Sequence, residues 1–296
     1  MKVAIVAIDG SWTASIGYEY AINTTGAECQ CFYQLPNLYG HNNPQGEYFT
    51  DLKDVPHKYD LLIFAGTKLF HEAYLRCPEL LKAYKGCIKV IPSGRYYRKN
   101  HEMLNAAFKD VGVELHVMPD LFRYCEGEQV PFYPPMELVP TFQAPYITVC
   151  HSPCNVQKMM TKGSHIICPT VMKFTVAFDV ILYTPWPQAI QRKARCHIFI
   201  DQIVSIREYT GGIGKSGLEA MSLGLATISS GEPYTSDLLP SPPVLWADKD
   251  TLKYALINLL QKADYRRKVI EEQRSWAREF LSYEFAGRLL MKGGKR

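Results

Sequence analysis

Short apolar runs bounded by turn residues recur along the chain, with stretches of helical spacing between several of them. Runs at 3–8, 27–33, 61–65, 88–91 and 116–118 read as strands of a first series, with helices at 16–24 and 70–84. A second series offers strands at 146–150, 165–168, 178–183, 197–203 and 226–229. Apolar strands alternating with helices predict parallel sheets covered on both faces, so the fold class is α/β. Between the two series, residues 130–145 are rich in proline and show no helical period. Proline fixes φ and keeps the preceding residue out of the helical region, so this stretch reads as an interdomain linker. Helices at 252–261 and from 265 onward close the chain, with Asp250 and Thr251 as cap candidates for the first.

The chain has 296 residues, 47% of them hydrophobic, which is room for two α/β domains of about 150 residues each. No apolar run is long enough for a membrane span, and the first one is short and meets Asp9 and Gly10 without a cleavage site. The expectation is a cytoplasmic protein with no transmembrane segment. Nine cysteines at irregular spacing fit a reducing compartment, and Cys150-His151-x-x-Cys154 lacks the second arm of a zinc site. The net charge is +4, but from Lys262 to Arg296 ten Lys or Arg face five Asp or Glu. That excess suits a polyanionic acceptor or a membrane surface. Arg266, Arg267, Arg274 and Arg278 also have the spacing of an ordinary solvated helix face, which makes nucleic acid the less favoured partner.

The chemistry concentrates in residues 211–221, GGIGKSGLEAM. Gly214-Lys215-Ser216 matches the end of a phosphate-binding P-loop, but Tyr209 stands where the first glycine belongs and only 80 residues follow Ser216. Read from Gly214, the segment is a glycine-rich loop, a helix and a short strand. Backbone N–H groups at such a helix start are unsatisfied and suit a diphosphate. Glu219 is expected in the first turn, where its carboxylate either caps backbone donors or accepts two ribose hydroxyls. Asp248-Lys249-Asp250 matches a D-x-D metal signature but precedes a helix, so it reads as a cap and no metal is expected.

Taken in order, the second half carries His151-Ser152-Pro153, Lys162-Gly163-Ser164, Asp201-Gln202, Gly212, Gly214, Glu219-Ala220-Met221 and Gly224. This order resembles the donor-binding domain of GT-B glycosyltransferases. In the first half, Gly94-Arg95-Tyr96-Tyr97-Arg98, Leu104-Asn105 and Met118-Pro119-Asp120-Leu121 look like the same group's N-terminal domain. The resemblance implies two Rossmann-like domains facing across a cleft, an acceptor-side domain over 1–142 and a donor domain over 143–264. A crossover helix over 265–296 would return to the first domain, anchored by Trp276, Phe280 and Leu281.

Carried over residue by residue, the resemblance implies that Glu219 binds the donor ribose. Lys162 with Gly163, and the loop Gly212 to Gly214, would face the diphosphate; His151 and Ser152 would line the cleft, and Asp201 would join the donor site. Gly10, Ser11, Arg95 and Arg98 fall on the acceptor side. If the reaction inverts configuration, Asp9 at the end of the first strand is the candidate base. Gly211 departs from the pattern, because many retaining members carry a first glutamate there. The implied activity is metal-independent transfer of a sugar from a nucleotide-diphosphate donor, UDP favoured, with no cofactor. The acceptor is a glycan or lipid-linked sugar by preference, shaped by the loop 35–57. Two alternatives are a phage-type enzyme acting on modified DNA bases and a non-catalytic nucleotide-binding relative. Oligomeric state is not legible.

Overall fold

The computed structural model describes residues 1–7, 17–33, 47–48, 59–92, 94–126, 128–136, 138–139, 144–204, 212–234 and 236–292. Asp9, Gly10, Ser11, Gly211 and most of the loop 35–57 lie outside the described residues, as does the Arg95 side chain. Two compact units are present, Met1–Pro135 with Phe280–Arg296, and Met136–Glu279.

The first unit is built on β1 (Lys2–Ala7), β2 (Glu28–Tyr33), β3 (Glu47–Tyr48), β4 (Leu61–Ala65), β5 (Cys87–Ile91), β6 (Glu114–Val117) and β7 (Gln129–Pro131). They form one parallel sheet in the order β3-β2-β1-β4-β5-β6-β7. Its helices are α1 (Gly17–Asn23), α2 (Thr67–Arg76), α3 (Pro78–Lys82) and α4 (Gly94–Val111). Period-two alternation divides β1 between two cores. Val3, Ile5 and Ala7 pack with α1 residues Ala21 and Ile22. Ala4 and Val6 pack with Leu69 and Phe70 of α2 and Leu104 of α4. A sheet buried on both faces needs the near-continuous apolar strands that the sequence shows.

The second unit contains β8 (Thr148–Cys154), α5 (Val156–Thr161), α6 (Ser164–Val171), β9 (Ala177–Leu182), α7 (Trp186–Lys193), β10 (Ile198–Ile200), α8 (Lys215–Leu223), β11 (Ala226–Ser229), β12 (Leu245–Trp246), α9 (Leu252–Gln261) and α10 (Ala263–Phe280). Its parallel sheet runs β12-β11-β10-β8-β9. One further helix, α11 (Tyr283–Met291), packs on α1 in the first unit, where a Cβ on Gly287 would lie 2.1 Å from the Ala21 carbonyl oxygen.

Three sequence expectations are corrected. Residues 165–168, expected as a strand, lie inside α6. A four-residue apolar run fits either period, and here Ile167 and Val171, one turn apart, enter the core. The proline-rich stretch is not linker throughout: Gln129–Pro131 pairs with β6, and Phe132 and Tyr133 are buried in the first unit. Pro131 is tolerated because it ends an edge strand. The single crossover helix over 265–296 is two helices broken at Leu281–Ser282. Ser282 caps α11 by accepting from the Phe285 N–H at 3.2 Å, while Trp276 stays in the second unit and donates its indole N–H to the Pro240 carbonyl at 3.1 Å.

Ahead of α9, Asp248 Oδ1 accepts the backbone N–H groups of Asp250 at 2.9 Å and Thr251 at 2.8 Å, and the Thr251 hydroxyl at 2.7 Å. These donors hold its pKa below the usual carboxylate range, and the carboxylate is spent on a local turn.

Candidate functional site

In the second unit the strand order reverses at β8, which is flanked by β9 on one side and β10 on the other. In open parallel sheets the crevice outside the carboxyl ends of the strands at such a switch point is where ligands bind. His151 and Ser152 lie in β8 at this end, and Asp201 follows β10 directly. α8 starts in front of the same edge at Gly214, and no side chain among the described residues caps it through a hydrogen bond to its own turn.

Asp201 is fully buried and uses both oxygens. Oδ2 accepts the Gly214 backbone N–H at 2.6 Å, and Oδ1 accepts from Lys162 Nζ at 2.6 Å. The carboxylate thereby fixes the start of α8 and draws the Lys162 ammonium to it; the Lys162 side chain keeps 16% exposure. Gly163 is required for this arrangement. It adopts φ 73°, and a Cβ there would lie 1.8 Å from the Ile203 carbonyl oxygen. Gln202 and the Ser229 hydroxyl both donate to the Gly212 carbonyl, so the described end of the glycine loop is held from the segment after β10 and from the end of β11.

His151 does not present a free ring to the crevice. It is fully buried, with Nδ1 2.7 Å from the Ile200 carbonyl and Nε2 2.8 Å from Ser164 Oγ. A carbonyl only accepts, so Nδ1 carries the proton and Nε2 accepts from the Ser164 hydroxyl. Burial drives the His151 pKa down to about 4, partly opposed by the bond to Ile200. The neutral ring thus ties β8 to β10 and to the first residue of α6.

Glu219 differs from expectation in two ways. It is the fifth residue of α8, one turn beyond the first, so it caps nothing; the donor of Gly214 is satisfied by Asp201 instead. Its carboxylate is also enclosed: Oε2 accepts from Lys193 Nζ, Oε1 accepts the Trp186 indole N–H at 2.8 Å, and Lys215 Nζ lies 3.9 Å from Oε1. Burial alone would raise its pKa, but Lys193 and Lys215 outweigh that and hold it below the usual carboxylate range. Lys193 also donates to Ser216 Oγ at 2.7 Å. Lys193 and Trp186 have no motif in the sequence, and Ser216 stood there only as part of the P-loop match. Their signal is tertiary, since α7 and α8 meet only in the fold. In the first unit, Arg98 is the fifth residue of α4, which bends at Asn100.

This arrangement can neutralise an anion. Two lysines, 162 and 215, and the N–H groups at the start of α8 stand at one sheet edge, and among the described residues the buried carboxylates beside them, Asp201 and Glu219, are already paired.

By sequence, no family model and no curated protein matches the chain. By structure, it is similar over 98% of its length to 98% of Anabaena HepE solved in complex with UDP-glucose, at TM-score 0.65 and 11% identity. It covers 99% of the lipopolysaccharide outer core galactosyltransferase WaaB with 97% of its own length, at TM-score 0.57 and 12% identity. The glycosyltransferase SnogD from Streptomyces nogalater matches at TM-score 0.50 and 11% identity, with 97% of this chain and 98% of that one covered. The fold is GT-B: two parallel α/β sheets in one chain, as the resemblance implies.

Proposed function

We propose that the chain is a glycosyltransferase that moves a sugar from a nucleotide-diphosphate donor, UDP-linked by preference, to a glycan or lipid-linked sugar. The observation that carries this reading is the junction of Lys162, Asp201 and Gly214 at the switch point of the second sheet. A leaving diphosphate gathers negative charge as the sugar carbon becomes oxocarbenium-like, so donors fixed in advance stabilise the transition state. Lys162 and the first N–H groups of α8 supply them, with Lys215 and Ser216 beside them. That HepE was solved with UDP-glucose and with UDP supports a UDP-sugar as donor.

Glu219 serves the ribose in this reading. Lys193 and Trp186 keep it ionised and oriented, and its remaining acceptor positions take the hydroxyls. Because lysines and a helix start carry the diphosphate, turnover needs no metal and survives EDTA. Asp9 remains the candidate base for an inverting reaction.

A second reading, a nucleotide-binding protein without transferase activity, is favoured by Gly211, which stands where many retaining relatives of the fold carry a first glutamate. One experiment separates the two: UDP release from a panel of UDP-sugars, with UDP and ATP titrated against the wild type, Glu219→Gln and Lys215→Ala. The transferase reading expects UDP release, and UDP binding weakened by about 1.5–3 kcal/mol in Glu219→Gln and less in Lys215→Ala. Tight ATP binding lost only in the lysine variant would return the site to a P-loop. UDP binding without release would leave the non-catalytic reading.

A further inference from the structure

The basic excess of the C-terminal segment is not uniform on α10. Arg267 pairs with Asp264, Lys268 stands 3.8 Å from Glu272, and Arg266 donates to the Leu259 carbonyl at 2.6 Å. Arg274 and Arg278, one turn apart, have no carboxylate partner among the described residues. Both line a cavity of about 290 Å³ whose other walls include Met136, Leu138, Val139 and Ala277.

Two like charges at this helical spacing repel. Arg274 is half-buried, and burial together with the Arg278 charge pulls its pKa down. No carboxylate among the described residues offsets this cost, whereas an anion between the guanidiniums would. A carboxylate brings two oxygens and one charge. A phosphomonoester brings three free oxygens and close to two charges, the better match for two planar five-donor forks. Met136, Leu138 and Val139 give the cavity an apolar side that favours an apolar substituent beside the head. The volume lies just below the range for small-molecule pockets, about 300–1,000 Å³, so it holds a head group and a few carbons.

We propose that this cavity binds a phosphate-headed amphiphile as a single molecule from solution, at a site separate from the donor crevice and independent of the transferase reading. The test is calorimetric titration of the full chain with n-octyl phosphate, inorganic phosphate and octanoate, each with and without saturating UDP. Octyl phosphate should bind about tenfold or more tightly than either other probe, unaffected by UDP. Arg274→Gln/Arg278→Gln should weaken it about tenfold or more, the scale of a lost charge-assisted hydrogen bond. Val139, 80% exposed, offers a variant that spares folding: Val139→Asp places an acid at the rim and should weaken binding as well. Competition by UDP, equal affinity for inorganic phosphate, or unchanged binding in both variants would overturn the proposal. So would binding only to phosphatidylglycerol vesicles and not to monomeric octyl phosphate.

Discussion

Lys193, at the end of α7, and Glu219, in the middle of α8, form an ion pair whose side chains are 2% and 5% exposed. Removing one partner strands the other charge away from water, which costs about 3–5 kcal/mol, whereas replacing both by apolar groups of similar volume is often neutral. Lys193→Met and Glu219→Leu should therefore each destabilise by about that much, and the double variant should recover most of the loss. Recovery stays incomplete by about 1 kcal/mol, because the Trp186 indole N–H loses its acceptor. Urea denaturation of the four proteins measures the cycle, and additive single losses would show that the pair is not a unit.

His151 should make the second unit acid-labile. Its folded pKa, about 4, lies below the unfolded value near 6.5, so the unfolded chain binds this proton more readily. The stability tied to the neutral ring is fully present above pH about 6.5 and is lost as pH falls toward 4, up to about 3 kcal/mol. Protonation removes the acceptor at Nε2 and leaves the Ser164 hydroxyl without it. An NMR titration should find the His151 ring signal still neutral at pH 5.5, and His151→Gln should flatten this part of the acid limb in denaturation. A ring titrating near 6.5 would contradict the buried, doubly bonded histidine.

Gly163→Ala is expected to be one of the most damaging single changes in the second unit. The methyl would enter the Ile203 carbonyl, and the residue would be forced to stay left-handed at a cost of roughly 1–2 kcal/mol before any clash. A total loss of about 3 kcal/mol or more in urea denaturation is expected, with Lys162 displaced because its carbonyl accepts from the Ile203 N–H at 3.1 Å. A loss under about 1 kcal/mol would mean that the loop moves aside freely.

The sheets were legible because strands buried on both faces write continuous apolar runs, as 61–65 does. The run 165–168 misled because four apolar residues carry no period, and Gly163, which starts a helix there, reads equally well as a turn. The glycine loop and α8 were legible from local chemistry, whereas the cap expected at Asp250 and Thr251 is a turn held by Asp248 instead. The partners of Glu219 were not, since a lysine is exposed by default and only the docking of α7 on α8 buries Lys193. The same limit applies to Asp201. The resemblance put it in the donor site, but its role as the anchor of Gly214 depends on a contact 13 residues away.

That anchor allows a discriminating prediction. Asp201 performs two tasks, accepting the Gly214 N–H and holding Lys162, and two substitutions separate them. Asp201→Asn keeps a carbonyl oxygen for the Gly214 N–H while releasing Lys162 from its counter-ion. A bound diphosphate would compete with the Asp201 carboxylate for that ammonium, so the asparagine variant should bind UDP at least as tightly as the wild type. Asp201→Ala removes both contacts, leaves the Gly214 N–H without its acceptor and frees the start of α8. It should weaken UDP binding about tenfold or more, the scale of one charge-assisted hydrogen bond. Titration of both variants with UDP reads the split directly. Equal weakening in both would mean that the Asp201 charge itself, through its orientation of Lys162, matters more than the anchoring of Gly214.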